Sequence, residues 1–328
     1  GAKPHLRPVV LEHMLDGLAR RSVDGKPSVF EQELAAVNDE RRGRLLVLTG
    51  SYDEARRAAD ILNRIPRWAG KVCRLISDDA EQDHEWRPGP EPDPDGGPVV
   101  ALRRSEVANF ASTGTEILVA PLLAIERGHN ILNRGVAAIG SVFFLARPHP
   151  RPDDIGLAVQ AVNDWASRMQ RDGTFDAFVR AQPSLDEAGA EFRTRARVHW
   201  RHLLNHPLAW SRLSEDEKIS FTWDQLVVIW QVIGRLVRGG VPARVVFVDA
   251  PFATRAAAGK SVPDTWRTSL LLAMRHVLDP YLTPSPVNAP TPVGSPVTPL
   301  DRALVKALYE PLHTALTDIV PSAPDPTG

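Results

Sequence analysis

Two arginines three residues apart, Arg235 and Arg238, with Gln231 four residues before the first and Gly234 beside it, are the side chains of this sequence best suited to chemistry. A guanidinium is planar, permanently charged and rich in N–H donors, so a pair on one helix face can grip phosphate oxygens or stabilise charge developing on them. The segment from Trp223 through Arg238 has helical periodicity and ends at Gly239-Gly240, a pair suited to stopping a helix. On such a helix Gln231, Arg235 and Arg238 share a face. A plainer reading competes: for a lone Arg-x-x-Arg, a basic helix end is most simply an offset to the helix dipole. The surrounding chain has to decide.

The elements around this segment alternate. Arg44–Thr49 reads as a strand, followed by Gly50-Ser51-Tyr52-Asp53-Glu54 and a helix from Ala55 to Ile65, with Ser51 and Glu54 spaced as a capping box. A strand feeding a helix N-terminus is a natural phosphate seat, though an ordinary strand-to-helix corner looks the same. Further apolar runs follow at 72–76, 99–102, 116–121 and 141–146, and Arg244–Asp249 reads as another buried strand. Continuous apolar runs alternating with helices indicate a parallel sheet covered on both faces, whose function belongs at the carboxyl ends of the strands.

The rest is reached in chain order. Residues 5–40 hold two apolar-striped helices, with Val10, Leu11, Met14, Leu15 and Leu18 in the first and Phe30, Leu34 and Val37 in the second. The stretch from Ser77 to Pro98 is acidic and proline-rich and reads as a disordered surface loop. A helical insertion runs from Ile155, and Ser214 with Glu217 opens its last helix. Within it Arg193, Arg197 and Arg201 recur every four residues with Trp200 alongside, a stripe able to track a single strand by phosphate contact and base stacking. A solvated basic face with the tryptophan packed beneath it explains the same pattern. Gly259-Lys260-Ser261 fails as a phosphate loop because Thr254 stands where the first glycine belongs. A helix is expected from Asp264 to Leu278, a proline-rich linker over 280–296, and a last helix capped by Thr298 with Pro299 at its first position.

Composition narrows the class. The net charge of −1 over 328 residues excludes a globally basic nucleic-acid binder, so any basic surface is local. Lysine occurs only at positions 3, 26, 71, 218, 260 and 306, so nearly all positive charge is arginine. One cysteine, Cys73, cannot make an internal disulfide and points to a reducing cytoplasm. There is neither a membrane-length apolar run nor a signal-peptide layout. The chain opens Gly-Ala rather than Met, as expected of a piece of something longer or a cloning scar.

Taken together, Gln231-x-x-Gly234-Arg235-x-x-Arg238, preceded by Ile117–Pro121 and by Arg127-Gly128-His129-Asn130, resembles the second RecA-like domain of superfamily 2 helicases. Arg44–Glu54 matches the position of that family's motif IV, Ala120–Ile131 resembles motif V, and Gln231–Arg238 resembles motif VI, the most specific of the three. Order, spacing and the large helical insertion look most like the XPD/DinG-type DNA helicases. Helicases of defence islands that pair a prokaryotic Piwi-like protein with a nuclease are among the relatives considered, and would bring those two as partners.

The resemblance implies a RecA-like α/β fold: a parallel sheet with helices on both faces, a helical insertion and a C-terminal helical extension. The implied domains are an arm (1–43), a RecA-like domain (44–154 and 220–256), the insertion (155–219) and the extension (257–328). It implies an ATP-dependent DNA helicase or translocase half in which Arg235 and Arg238 stabilise charge on the γ-phosphate and Gln231 orients it, with Gly128, Asn130 and Gly234 lining the nucleotide cleft. DNA, single-stranded or partly duplex, would meet Thr49, Gly50, Ser51, Arg127, His129 and the Arg193, Arg197, Trp200, Arg201 stripe. ATP and Mg²⁺ would be held mainly by a first RecA-like domain, in cis or in trans, because no phosphate-binding lysine loop and no Asp-Glu box occurs in this sequence. Asn130 stands where many relatives carry Asp. A catalytically inactive RecA-like remnant serving as a protein- or nucleic-acid-binding module is the competing expectation.

Overall fold

The computed structural model describes residues 6–79, 99–125, 130–148, 155–205, 210, 213–283 and 297–319. In chain order the elements are α1 (Arg7–Ala19), α2 (Val29–Val37), β1 (Leu45–Thr49), α3 (Tyr52–Asn63), β2 (Val72–Ile76), β3 (Val100–Arg103), a 3-10 helix (Arg104–Ser112), β4 (Ile117–Pro121) and α4 (Leu122–Ile125). A short ribbon of β5 (Leu132–Asn133) and β6 (Val136–Ala137) follows, then β7 (Ser141–Phe144), α5 (Ile155–Arg171), α6 (Thr174–Arg180), α7 (Leu185–Asn205) and α8 (Glu215–Leu236). The chain closes with β8 (Arg244–Phe247), α9 (Thr254–Ala257), α10 (Leu270–Leu282) and α11 (Pro299–Ile319). It divides into two compact units, Gly1–Pro148 with Asp224–Met274 and Asp318–Gly328, and His149–Trp223 with Arg275–Thr317.

The first unit is a RecA-like α/β layer structure on a six-stranded, all-parallel sheet in the order β3-β2-β4-β1-β7-β8. Every residue of β1, β4 and β7 is buried, because central parallel strands are covered on both faces. One face presents Leu45, Val47, Ile117, Val119 and Phe143 to α1, α2 and α3, where Leu15, Phe30, Ala58, Leu62 and Trp68 complete the core. Phe30 packs edge-on against both Trp68 (5.9 Å) and Phe143 (4.7 Å). The buried indole is satisfied by donating from Nε1 to Ala19 O at 2.8 Å. Each such large side chain contributes about 1.5–3 kcal/mol on burial, so the two N-terminal helices are part of the core. On the opposite face Phe144 meets Phe247 (5.3 Å) and Phe252 (6.3 Å). Cys73 is buried in β2, and burial pushes its thiol up to about 12.

Charged groups fasten the helical layer. Ser28 and Glu31 close a capping box on α2, and Glu31 also accepts from Arg21 Nη2 at 2.6 Å. The Arg21 guanidinium, with the Ser28 N–H and hydroxyl, holds the Glu31 carboxyl down to about 2. A carboxylate with a depressed folded pKa stabilises above its ordinary value and loses that contribution as pH falls through the folded value. We therefore expect the urea midpoint to drop between about pH 4.5 and 2, and Glu31→Gln to flatten that drop; an unchanged profile would remove Glu31 from the account. Glu33 on α2 likewise takes a bidentate Arg244 (2.6 and 2.8 Å) and the Ser141 hydroxyl (3.1 Å), tying the arm to the start of β7 and β8.

The second unit packs α5, α6 and α7 around Phe192, with Trp165 at 4.9 Å, Phe175 at 6.1 Å and Phe178 at 6.3 Å. Its later part sets Trp223 edge-on to Tyr281 and Tyr309 and joins His313 Nε2 to Asp279 Oδ1 at 2.7 Å.

Several expectations are revised. Arg244–Phe247 forms a half-buried edge strand, not a buried one, because no strand lies beyond it in the sheet. The segment after β3, whose sequence reads as a short helix from Ser105 to Phe110, is a 3-10 helix over Arg104–Ser112, and the β5–β6 ribbon is new. Helix α10 starts at Leu270 and continues through Pro280 to Leu282, although proline there forfeits the hydrogen bond to the carbonyl four residues back. The capping boxes at Ser214 and Thr298 form as read. Most of the acidic stretch (80–98) and of the proline-rich linker (284–296) lies outside the described residues. Among the described residues, no helix is long and apolar enough to cross a membrane.

Candidate functional site

Helix α8 is longer at its start than its periodicity predicts and ends at Leu236, so Arg238 stands in the turn just beyond the helix. Its buried residues Leu226, Ile229, Val232, Ile233 and Leu236 make one stripe, and Asp224, Val227 and Gln231 form an exposed one that Arg238 continues beyond the helix end. Arg235 is half-buried beside that exposed stripe. Gly239 and Gly240 both take left-handed φ values, +84° and +72°, and terminate the helix as their types predict.

The end of α8 is anchored from a distance. Arg42, in the turn before β1, is only 4% exposed. Its Nη2 donates to Leu236 O at 3.1 Å and to Ile139 O at 3.3 Å, and its Nε donates to Ala137 O at 3.2 Å. Burial pushes its pKa down, against the pull of Asp39. A buried cation against the last carbonyl of α8 is where a cation offsets the helix dipole. That task is therefore carried by Arg42, which nothing in the sequence singles out from Glu40 and Arg41 beside it. Arg238, exposed beyond the helix end, is not needed for that task. The backbone of Arg238 is held as well, its carbonyl accepting from Ala137 N at 3.0 Å.

Gly234 lies on α8 with open space where a Cβ would stand. Glycine inside a helix costs about 1 kcal/mol relative to alanine, and no contact among the described residues calls for it. Behind Arg235, a cavity of about 20 Å³ is lined by Leu46, Val107, Ile125, Ile139 and Leu236 among others. That is room for one water and far too little for a base. Of the second motif, Asn130 is exposed at the start of the ribbon segment. Arg127, Gly128 and His129 lie outside the described residues.

The first motif lies at the carboxyl ends of the strands, whereas the arginines lie at the amino ends, contrary to the expectation that function belongs at the carboxyl ends. Arg42 and Gly140 precede β1 and β7, whereas Thr49, Gly50 and Ser51 follow β1, so the two groups are about one strand length apart, roughly 16 Å. The expected contacts of Thr49 need correction. It is 1% exposed and its hydroxyl donates to Ser51 O at 3.1 Å, so it shapes the turn from inside. The expected phosphate seat is taken internally: Gly50 N donates to Glu54 Oε2 at 2.8 Å, Ser51 Oγ accepts from Glu54 N at 3.2 Å, and Arg7 pairs with the same carboxylate. Beside them, at the carboxyl ends of β7 and β8, Arg147 lies 3.5 Å from Asp249. Burial lowers the pKa of Arg147 and raises that of Asp249, the latter countered by Arg147 and Arg7.

In the second unit, Arg193 and Arg197 are exposed on α7 and Trp200 is half-buried, while the Arg201 side chain lies outside the described set. The structure thus brings Gln231, Gly234, Arg235 and Arg238 to one place and leaves the motif IV-like turn elsewhere. Searched against family models, curated proteins and solved structures, the chain matches none.

Proposed function

We propose that this chain is the C-terminal half of an ATP-dependent DNA helicase or translocase of the superfamily 2, XPD/DinG-like kind, supplying Arg235 and Arg238 to a nucleotide cleft whose other wall is a lysine-loop domain in cis or in trans. The observation that carries the reading is Arg42: with its guanidinium on Leu236 O, the dipole explanation of the arginine pair loses its force. Gln231, Arg235 and Arg238 then serve as phosphate ligands from a helix end whose backbone is fixed, with Gly234 on the same helix. ATP is the substrate of that cleft. Mg²⁺ would enter with ATP on carboxylates of the other domain; among the described residues no three His, Cys, Asp or Glu side chains are grouped to hold it. Nucleotide binding by the assembled halves, weakened by Arg238→Ala, tests the reading; equal binding by the variant would sink it.

DNA binding is expected to be largely independent of sequence and carried by phosphate contact. If Arg193 and Arg197 track a single strand, replacing both with alanine lowers the slope of log affinity against log salt by about 1.4, at about 0.7 per phosphate contact. An unchanged slope would take the stripe out of the interface. If the resemblance extends to defence-island helicases, a nuclease and a Piwi-like protein are the partner classes to test first, in the cytoplasm.

One observation favours the second reading, an inactive remnant that binds partners: Leu300, Leu304 and Leu308 lie four apart on α11 and are all more than half exposed. Assembly with the lysine-bearing half that restores no ATPase would decide for it.

A further inference from the structure

We infer that Arg134 is a third guanidinium of the anion site formed by Arg235 and Arg238, and that the site takes the phosphate chain of a nucleoside triphosphate. The inference rests on the assignment of Arg235 and Arg238 to phosphate. Arg134 and Gly135 form the two-residue turn of the β5–β6 ribbon, between the paired residues Asn133 and Val136. Both have positive φ, 50° and 82°, as this hairpin turn requires. Glycine, asparagine or aspartate takes the first of these positions at little cost; arginine is strained there, so turn chemistry does not account for it.

The position of the turn does account for it. A Cβ built on Gly239 would stand 2.9 Å from Gly135 O and 2.9 Å from Val136 Cγ1, so the ribbon tip is in direct contact with the turn that follows α8. Arg238 O accepts from Ala137 N at 3.0 Å in the same place. Arg134 and Arg238 are therefore each one residue away from a shared backbone contact. Both side chains are exposed, and among the described residues neither has a hydrogen-bond or ion-pair partner. Arg235 adds its charge from the last turn of α8. Arg134 and Arg238 are like charges on rigid backbone that repel one another, and a multivalent anion relieves both together.

The contact also gives the ribbon a role. Arg42 holds the ribbon segment through Ala137 O and Ile139 O and the helix end through Leu236 O, so the backbone that carries all three arginines is fastened to one buried cation.

The test is calorimetric titration of inorganic tripolyphosphate into the purified chain at low ionic strength, with Arg134→Gly, Arg235→Ala and Arg238→Ala compared. Arg134→Gly should weaken binding about fivefold, the scale of one exposed charge contact. Its urea midpoint should stay level or rise, because glycine relieves the left-handed position. Unchanged affinity in Arg134→Gly, with weaker binding in the other two variants, overturns the third guanidinium alone. Unchanged affinity in all three variants overturns the phosphate assignment itself. A parallel titration with a single-stranded oligonucleotide separates the two sources of phosphate. A loss in Arg134→Gly confined to tripolyphosphate supports the nucleotide chain, and an equal or larger loss on the oligonucleotide overturns it.

Discussion

Replacing Arg235 with alanine is expected to lower ATP turnover by about 10³-fold or more when this chain acts together with a lysine-loop domain, the range over which an arginine finger acts on phosphoryl transfer. Phosphoryl transfer leaves the protein little covalent work, so positioning and charge stabilisation supply most of the rate. A guanidinium brought from the second domain does both. Arg238→Ala is expected to fall in the same range, and Arg235→Lys to recover little, because an ammonium cannot reproduce a planar fork of donors.

The loss should appear in turnover rather than folding. Arg238 is exposed beyond the helix end, so its truncation removes no core packing. Turnover by the assembled halves and the urea midpoint of each variant check this together. A turnover unchanged in Arg235→Ala would sink the finger assignment. Robust ATPase activity from the 328-residue chain alone, abolished by Arg235→Ala, would instead show that the other wall of the cleft is not needed.

The second large effect is structural. Arg42→Met keeps much of the stem and removes the donors to Ala137 O, Ile139 O and Leu236 O. A buried acceptor left without a partner costs about 1–3 kcal/mol. Some relief comes from no longer burying a charge, since the desolvation of an ion is itself expensive. The balance is a destabilisation of about 3 kcal/mol, large against a typical total of about 5–15 kcal/mol. Arg42→Lys should recover only part of it, because an ammonium on a longer stem cannot span three carbonyls on separate segments. Urea denaturation measures the effect, and amide exchange at 236–240 should accelerate in both variants. A midpoint within experimental error of the parent would remove Arg42 as the anchor of this corner.

What the sequence by itself determined is local. The strands at 45–49, 72–76, 117–121 and 141–144 are legible because central strands of a parallel sheet must be apolar on both faces. The caps at Ser28, Ser51, Ser214 and Thr298 involve partners three residues away, and Gly239-Gly240 ends a helix through its own backbone freedom. The arginine pair is visible by its spacing, and its assignment to phosphate is a proposal. Ser51 with Glu54 also shows where such reading stops: the cap forms, but the Glu54 carboxylate turns to Gly50 N and Arg7, and the anion seat it was expected to open is filled.

Only the tertiary structure decided which groups meet. Parallel strand direction puts the motif IV-like turn, which follows β1, and the arginines, which precede β8, at opposite ends of the strands. Strand order left Arg244–Phe247 half-buried at the edge, where the same apolar run in the middle of the sheet would be buried. The residue that relieves Arg235 and Arg238 of the helix dipole is Arg42, bonded to a carbonyl 194 positions away, and Arg134 reaches their corner through a ribbon of four paired residues. Periodicity and caps are written in neighbours a few residues apart. The partner of a buried charge is chosen by topology, which brings distant backbone carbonyls to a group that cannot remain unpaired.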